Sequence, residues 1–181
     1  MLDTRRLRLR MFRQGDTEAY AHMLADPLVA RYLSHGQPLS ASEAWRHMAM
    51  LLGHWQLFGF GPWAVEERET GELVGRIGPY FPAGWPGLEL IWTIRRQSWG
   101  QGYATEGARA ALAYVFEEMK RDRVISLIRP QNAASIRVAE KLGQVPQERL
   151  EFYGEEALVY GIRRETWLHA RRDREGNVTT G

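Results

Sequence analysis

The sequence contains no cysteine. That excludes disulfides, thiolate zinc sites, iron–sulfur clusters and a cysteine nucleophile. It also lacks any apolar run near the roughly 20 residues that span a bilayer. The opening stretch MLDTRRLRLR alternates apolar with cationic residues instead of building a signal-peptide core, so a cytoplasmic protein without a membrane partner is expected. Neither sign of charge dominates: 24 Lys and Arg against 22 Asp and Glu leave +2, too little for a general nucleic-acid binder. Missing as well are a Gly-x-Ser-x-Gly elbow, the Gly-Lys-Ser/Thr of a Walker loop and a third glycine for a dinucleotide fingerprint. Serine-hydrolase, ATP and NAD chemistry therefore have no support.

What is present suits one folded domain. A chain of 181 residues, 44% hydrophobic, buries enough surface for a single core without staples. We expect that domain over residues 1–167, followed by a polar, frayed tail at 168–181. Leu7, Leu9 and Met11 alternate with Arg6, Arg8 and Arg10, which predicts a strand with the arginines on its wet face. From the N-cap candidate Asp16 the apolar spacing turns helical, until Asp26-Pro27 ends it. Ser40 and Glu43 have the capping-box spacing before a second helix that reaches about Phe58. Pro62–Arg68 and Glu72–Tyr80 flank Thr70-Gly71 as a hairpin. A strand over Leu88–Ile94 precedes a long helix from Gly102 to about Arg121, then a short strand over Val124–Ile128. A helix over Asn132–Leu142 ends at Gly143, and two final strands, Gln147–Tyr153 and Leu158–Arg164, meet at Gly154. This order predicts an α/β sandwich around a mixed sheet.

The chemistry concentrates in Gln97-Ser-Trp-Gly100-Gln101-Gly102-Tyr103-Ala104-Thr-Glu106. Two glycines one residue apart at a strand-to-helix junction let successive N–H groups point at one spot, and the following helix adds its positive dipole end. A pyrophosphate is the natural ligand; a tight turn that needs two glycines is the plainer alternative. His47 and His54 lie seven residues apart without a carboxylate constellation, so they read as packed or solvated and no metal is expected.

Gln97-x-x-Gly100-x-Gly102 resembles the (Gln/Arg)-x-x-Gly-x-(Gly/Ala) acyl-CoA signature of the GNAT superfamily of N-acetyltransferases. Together with Asn132-Ala-Ala-Ser135-Ile-Arg-Val-Ala-Glu-Lys-Leu-Gly143, it is similar to the RimJ/RimL-type branch, whose typical members acetylate α-amino groups of ribosomal proteins. The close match runs from about Glu89 to Gly143. The resemblance implies a mixed, mostly antiparallel sheet flanked by helices, with a splayed strand pair forming the acyl-CoA slot. Backbone groups of Trp92, Thr93 and Ile94 would line that slot. Gln97 and the N–H groups of Gly100, Gln101, Gly102, Tyr103 and Ala104 would hold the pyrophosphate of acetyl-CoA, with Asn132 and Ser135 beside the pantetheine and sulfur.

Acetyl transfer to an amine needs a base, an oxyanion donor and a proton for the departing thiolate. Glu89 is the candidate base, as the one charge in its strand; alternatively it sits on the strand's wet face. Glu106 is a rival, although a first-turn glutamate complements the helix dipole in any case. Many superfamily members carry a tyrosine acid where this chain has Ala139, which leaves Ser135 or Tyr153 as donor. Gln144 replaces the family's usual phenylalanine. The expected activity is acetylation of a primary amine, at a peptide N-terminus or on a small molecule, by direct attack through a tetrahedral intermediate. The alternative is a non-catalytic acyl-CoA-binding or protein-interaction domain. The acceptor side is expected from Leu28–Phe60 and Tyr80–Gly87, and the pattern leaves room for a homodimer.

Overall fold

The structure, a computed structural model, describes residues 1–33 and 36–176. It contains one eight-stranded sheet in the order β1-β2-β3-β4-β5-β6-β8-β7. The strands are β1 (Leu2–Asp3), β2 (Leu7–Arg10), β3 (Trp63–Glu67), β4 (Leu73–Tyr80), β5 (Glu89–Ile94), β6 (Arg123–Ile128), β7 (Val145–Phe152) and β8 (Glu155–Arg163). Every neighbouring pair is antiparallel except β5 and β6, which are parallel. The α-helices are α1 (Thr17–Ala25), α2 (Pro27–Ala30), α3 (Ala41–Phe58), α4 (Tyr103–Glu117), α5 (Ala133–Lys141) and α6 (Arg164–Gly176). The expected mixed, mostly antiparallel sheet between helices is what forms.

Each face of the sheet has its own core. Against one face α4 packs Ala108, Ala111, Leu112 and Val115 onto Leu7, Val65, Ile77 and Leu90. Against the other, α1 and α3 bring Tyr20, Met23, Met48 and Leu51 to Ala64, Leu73 and Tyr80. Coverage on both faces explains why all eight residues of β4 are buried, and why two-residue alternation says little about exposure in the middle strands. The capping box of α3 forms as expected, with Ser40 and Glu43 each satisfying the other's backbone N–H, and Gly59 closes the helix in the left-handed region.

Three expectations fail. Arg10 does not lie on a wet face: its guanidinium pairs with Asp16 at 2.7 Å and with Glu66 at 2.7 Å, and its side chain is 11% exposed. Asp16 accordingly spends its carboxylate on Arg10 and the Arg13 N–H, and makes no side-chain cap to α1. The stretch read as a frayed tail forms α6 through Gly176, because Trp167 packs on Phe116 with ring centroids 5.5 Å apart and Arg171 lies over Trp167. Residues 177–181 of that stretch lie outside the described residues.

Candidate active site

The parallel seam carries the site. β5 and β6 share a single register pair, Glu89 with Ile125, and the Ile125 N–H reaches the Leu88 carbonyl at 2.9 Å. One step further a continued ladder would join the Leu127 N–H to the Leu90 carbonyl. Side chains take both partners instead. The Glu89 carboxylate accepts the Leu127 N–H at 3.0 Å, and the Ser126 hydroxyl donates to the Leu90 carbonyl at 2.8 Å. From there the strands part. Leu88 and Leu90 turn their carbonyls toward β6, so the two-residue period points the backbone N–H and C=O of Trp92 into the gap. Further along, the Ile94 carbonyl accepts the Trp99 indole N–H at 2.7 Å.

A cavity of ≈ 490 Å³ opens over the seam. Glu89, Trp92, Thr93, Asn132, Ser135 and Tyr153 all line it. Tyr32, His47 and Met50 from the α2–α3 region, Tyr80 at the end of β4 and Trp85 from the turn before β5 complete the wall where the acceptor side was expected. Glu89 is buried, at 8% exposure, which overturns the wet-face alternative. Its other oxygen accepts the Trp85 indole N–H at 2.6 Å. Burial pushes its pKa up to about 7, while the hydrogen bonds from Trp85 and Leu127 and the charge of Arg76 pull the other way. A carboxyl poised near neutrality can take a proton and release it. Glu106, by contrast, binds Thr4 and Arg6 and lies outside the cavity.

The remaining sequence candidates lie beyond the cavity, past the end of β5. Gln97 sits in the short helical turn Arg96–Ser98. Gly100 and Gly102 both adopt left-handed backbone, at φ 78° and 81°, and Gly102 opens α4 with no side-chain cap. The first-turn N–H groups are thereby left for a ligand, a donor set that fits an anionic pyrophosphate. Tyr103 has only its backbone N–H to offer a ligand, since its buried ring lies under Arg6 and its hydroxyl bonds Glu67.

Asn132 caps α5 by accepting the Ser135 N–H at 3.1 Å. The Ser135 hydroxyl accepts the Trp92 indole N–H at 3.2 Å, which aims it into the gap. Tyr153 is 60% exposed at the rim, stacked edge-on with Trp85 and Phe152. Ala139 is fully buried against Ile128 and Tyr160. Gln144 is buried too, donating to Ser126 at 3.1 Å, so it supports the hydroxyl that holds the Leu90 carbonyl. Of the two histidines, His54 is fixed between the Phe60 carbonyl and the Phe81 N–H, and His47 between Tyr20 and Arg76. Among the described residues no group of His, Asp or Glu could hold a metal, and no helix is long and apolar enough to cross a membrane.

Residues 6–145 match the acetyltransferase (GNAT) domain. The chain belongs to the GNAT acetyltransferase family. It is 32% identical over 162 residues to the uncharacterized protein YkkB of Bacillus subtilis (strain 168), covering 88% of this chain and 93% of that one. Among solved structures, the acetyltransferase from Agrobacterium tumefaciens str. C58 superimposes with a TM-score of 0.79 at 32% identity, over 90% of this chain and 93% of that one. RimL, the ribosomal L7/L12 alpha-N-protein acetyltransferase solved with coenzyme A, shares the fold at a TM-score of 0.74 and 17% identity, over 88% and 95% of the two chains. The parted β5 and β6 lie where the resemblance led the acyl-CoA slot to be expected. Sequence reasoning missed Arg76 on the cavity wall; its signal was a lone cation inside the otherwise apolar run of β4.

Proposed function

We propose that this protein transfers an acetyl group from acetyl-CoA to a primary amine in the cytoplasm, and that Glu89 is the base. The observation that carries this is the buried Glu89 carboxyl at the point where β5 and β6 separate, with its pKa raised to about 7. Acetyl-CoA supplies an activated carbonyl on a thiol leaving group. Gly100–Ala104 bind its pyrophosphate, and the edges of β5 and β6 take the pantetheine. Most of a primary amine is protonated at neutral pH, and Glu89, directly or through a water, removes that proton. The free amine then attacks the thioester carbonyl. The Trp92 N–H donates to the oxygen that becomes negative in the tetrahedral intermediate. As the intermediate collapses the nitrogen gives up its second proton and the departing thiolate takes one, relayed through the Ser135 hydroxyl, which gives its own proton to sulfur and regains the one from nitrogen. That hydroxyl is held by Trp92 and its own proton has no acceptor among the described residues. Tyr153, at the rim, is the second candidate for that step. A peptide α-amine, as in the RimJ/RimL branch, is one acceptor consistent with the open cavity, and a small amine is the other.

The test begins with melting temperature against acetyl-CoA. A ligand at about 100 times its Kd adds roughly 2.7 kcal/mol, or several degrees. A saturable rise followed by thiol release with an amine supports the reading. A rise without thiol release from any peptide or small amine supports the binding-module alternative, and no rise at millimolar acetyl-CoA removes both.

A further inference from the structure

Arg76 is a buried cation with neutral partners. It sits in the middle of β4, 8% exposed, on the sheet face that α3 covers. Its Nε donates to Thr93 Oγ1 at 3.3 Å, and Nη1 approaches His47 Nε2 at 3.1 Å. A guanidinium carries donors only, so His47 Nε2 presents its lone pair and the imidazole is neutral. Burial, and then the charge of Arg76, agree by holding the His47 pKa down to about 3. The proton is on Nδ1, which donates to the Tyr20 hydroxyl at 2.9 Å.

No carboxylate among the described residues forms an ion pair with Arg76. Glu89 is the carboxylate that shares the cavity wall and feels its charge. The two stand apart: Arg76 pairs across the strands with Thr93, Glu89 with Tyr80, and four residues of strand put about 13 Å between those backbone positions. A buried, uncompensated cation is costly unless something supplies the opposite charge. A guanidinium has five N–H donors, so its bonds to Thr93, His47 and Tyr20, all neutral, do not exhaust it, and Arg76 lines the cavity.

We propose that Arg76 receives a carboxylate carried by the acceptor, so that the substrate is an amino carboxylate whose amine and anion are several bonds apart. The amine end lies toward Glu89, the anionic end toward Arg76, and the apolar walls from Met50, Tyr80 and Ile91 hold the chain between them. This rests on the acyl-transfer reading of the same cavity. It assigns the acceptor class, with Arg76 as the specificity-determining residue.

The experiment uses the full chain, acetyl-CoA and ω-amino carboxylates of increasing length, each beside its own ω-amino amide, with thiol release as readout. In the wild type one chain length shows a kcat/KM at least about tenfold higher for the acid than for its amide, most of it in KM. In Arg76→Met that ratio falls to about one, and Arg76→Lys lies between. Equal rates for acid and amide in the wild type overturn the proposal without need of a variant. So does a ratio unchanged in a folded Arg76→Met. Should no amine release thiol, the acyl-transfer reading has failed separately, and the same pairs are compared by melting temperature. A saturable rise with the acid alone, lost in Arg76→Met, supports Arg76 as a carboxylate site. No rise, or an equal rise with the amide, overturns it.

Discussion

The Glu89 carboxylate accepts the backbone N–H of Leu127 at 3.0 Å, in the place a strand carbonyl would occupy in an unbroken ladder. The proposed base is therefore also the group that ends the pairing of β5 with β6. Its protonation, its burial and the shape of the slot are one arrangement, and the first expectations concern it.

Glu89→Gln should lower turnover by about 10²- to 10⁴-fold near neutrality. Wild-type activity should fall below an apparent pKa of about 7. That limb should be absent from the variant, whose deficit shrinks as pH rises toward the amine's own pKa. A pH profile of kcat/KM from 5.5 to 9.5 checks this; identical profiles for the two proteins remove Glu89 as base.

Trp85→Phe deletes the 2.6 Å hydrogen bond that favours the Glu89 carboxylate. With that donor gone the Glu89 pKa rises further, so the acidic limb should move to higher pH while the alkaline plateau changes less. A limb that stays in place, or moves down, contradicts this geometry.

Stability carries the same signature. Folding raises the Glu89 pKa from 4.5 to about 7, so its contribution is fully present below pH 4.5 and is lost as pH rises through about 7. The unfolding free energy of Glu89→Gln minus that of the wild type should climb between those limits by up to roughly 3 kcal/mol. Urea titrations of both proteins at pH 4.5 and 8 measure the climb.

Gly102→Trp places a side chain on left-handed backbone at the start of α4. Acetyl-CoA should bind at least about tenfold more weakly, because the pyrophosphate loses close approach to the first-turn N–H groups. Calorimetric titration of the folded variant checks it, and normal affinity would show that the loop does another job.

Arg10→Met leaves Asp16 and Glu66 buried with Arg13, 62% exposed, as their remaining cation. A loss of about 3 kcal/mol in unfolding free energy is expected, with little change in acetyl-CoA affinity because the cluster lies off the cavity.

Much of the scaffold could be read from local chemistry. Ser40 with Glu43, Gly143 just past α5, and Gly100 with Gly102 before α4 are decisions taken within a few residues, and such decisions are visible in a single chain. What escaped reading depends on distant partners. Arg10 looked solvated because Glu66 is 56 residues away, and Glu89 allowed a wet-face reading because the Leu127 N–H that it accepts is 38 residues away. Arg76 passed unnoticed for the same reason, since its partner His47 lies on α3, 29 residues away. The last helix was missed because its polar composition hides the buried anchor Trp167.

The single register pair between β5 and β6 also makes the sheet a two-piece body. Five strands lie on one side of that seam and three on the other, joined there by a short stretch of ladder and a few side chains. On the proposed reading acetyl-CoA fills the slot and supplies the missing rungs, which would make donor binding a mechanical event as well as a chemical one: it would rivet two plates along their fault line. The amides of β6 and the edge of β5 should exchange with solvent fastest in the empty protein and slow together when the slot is filled.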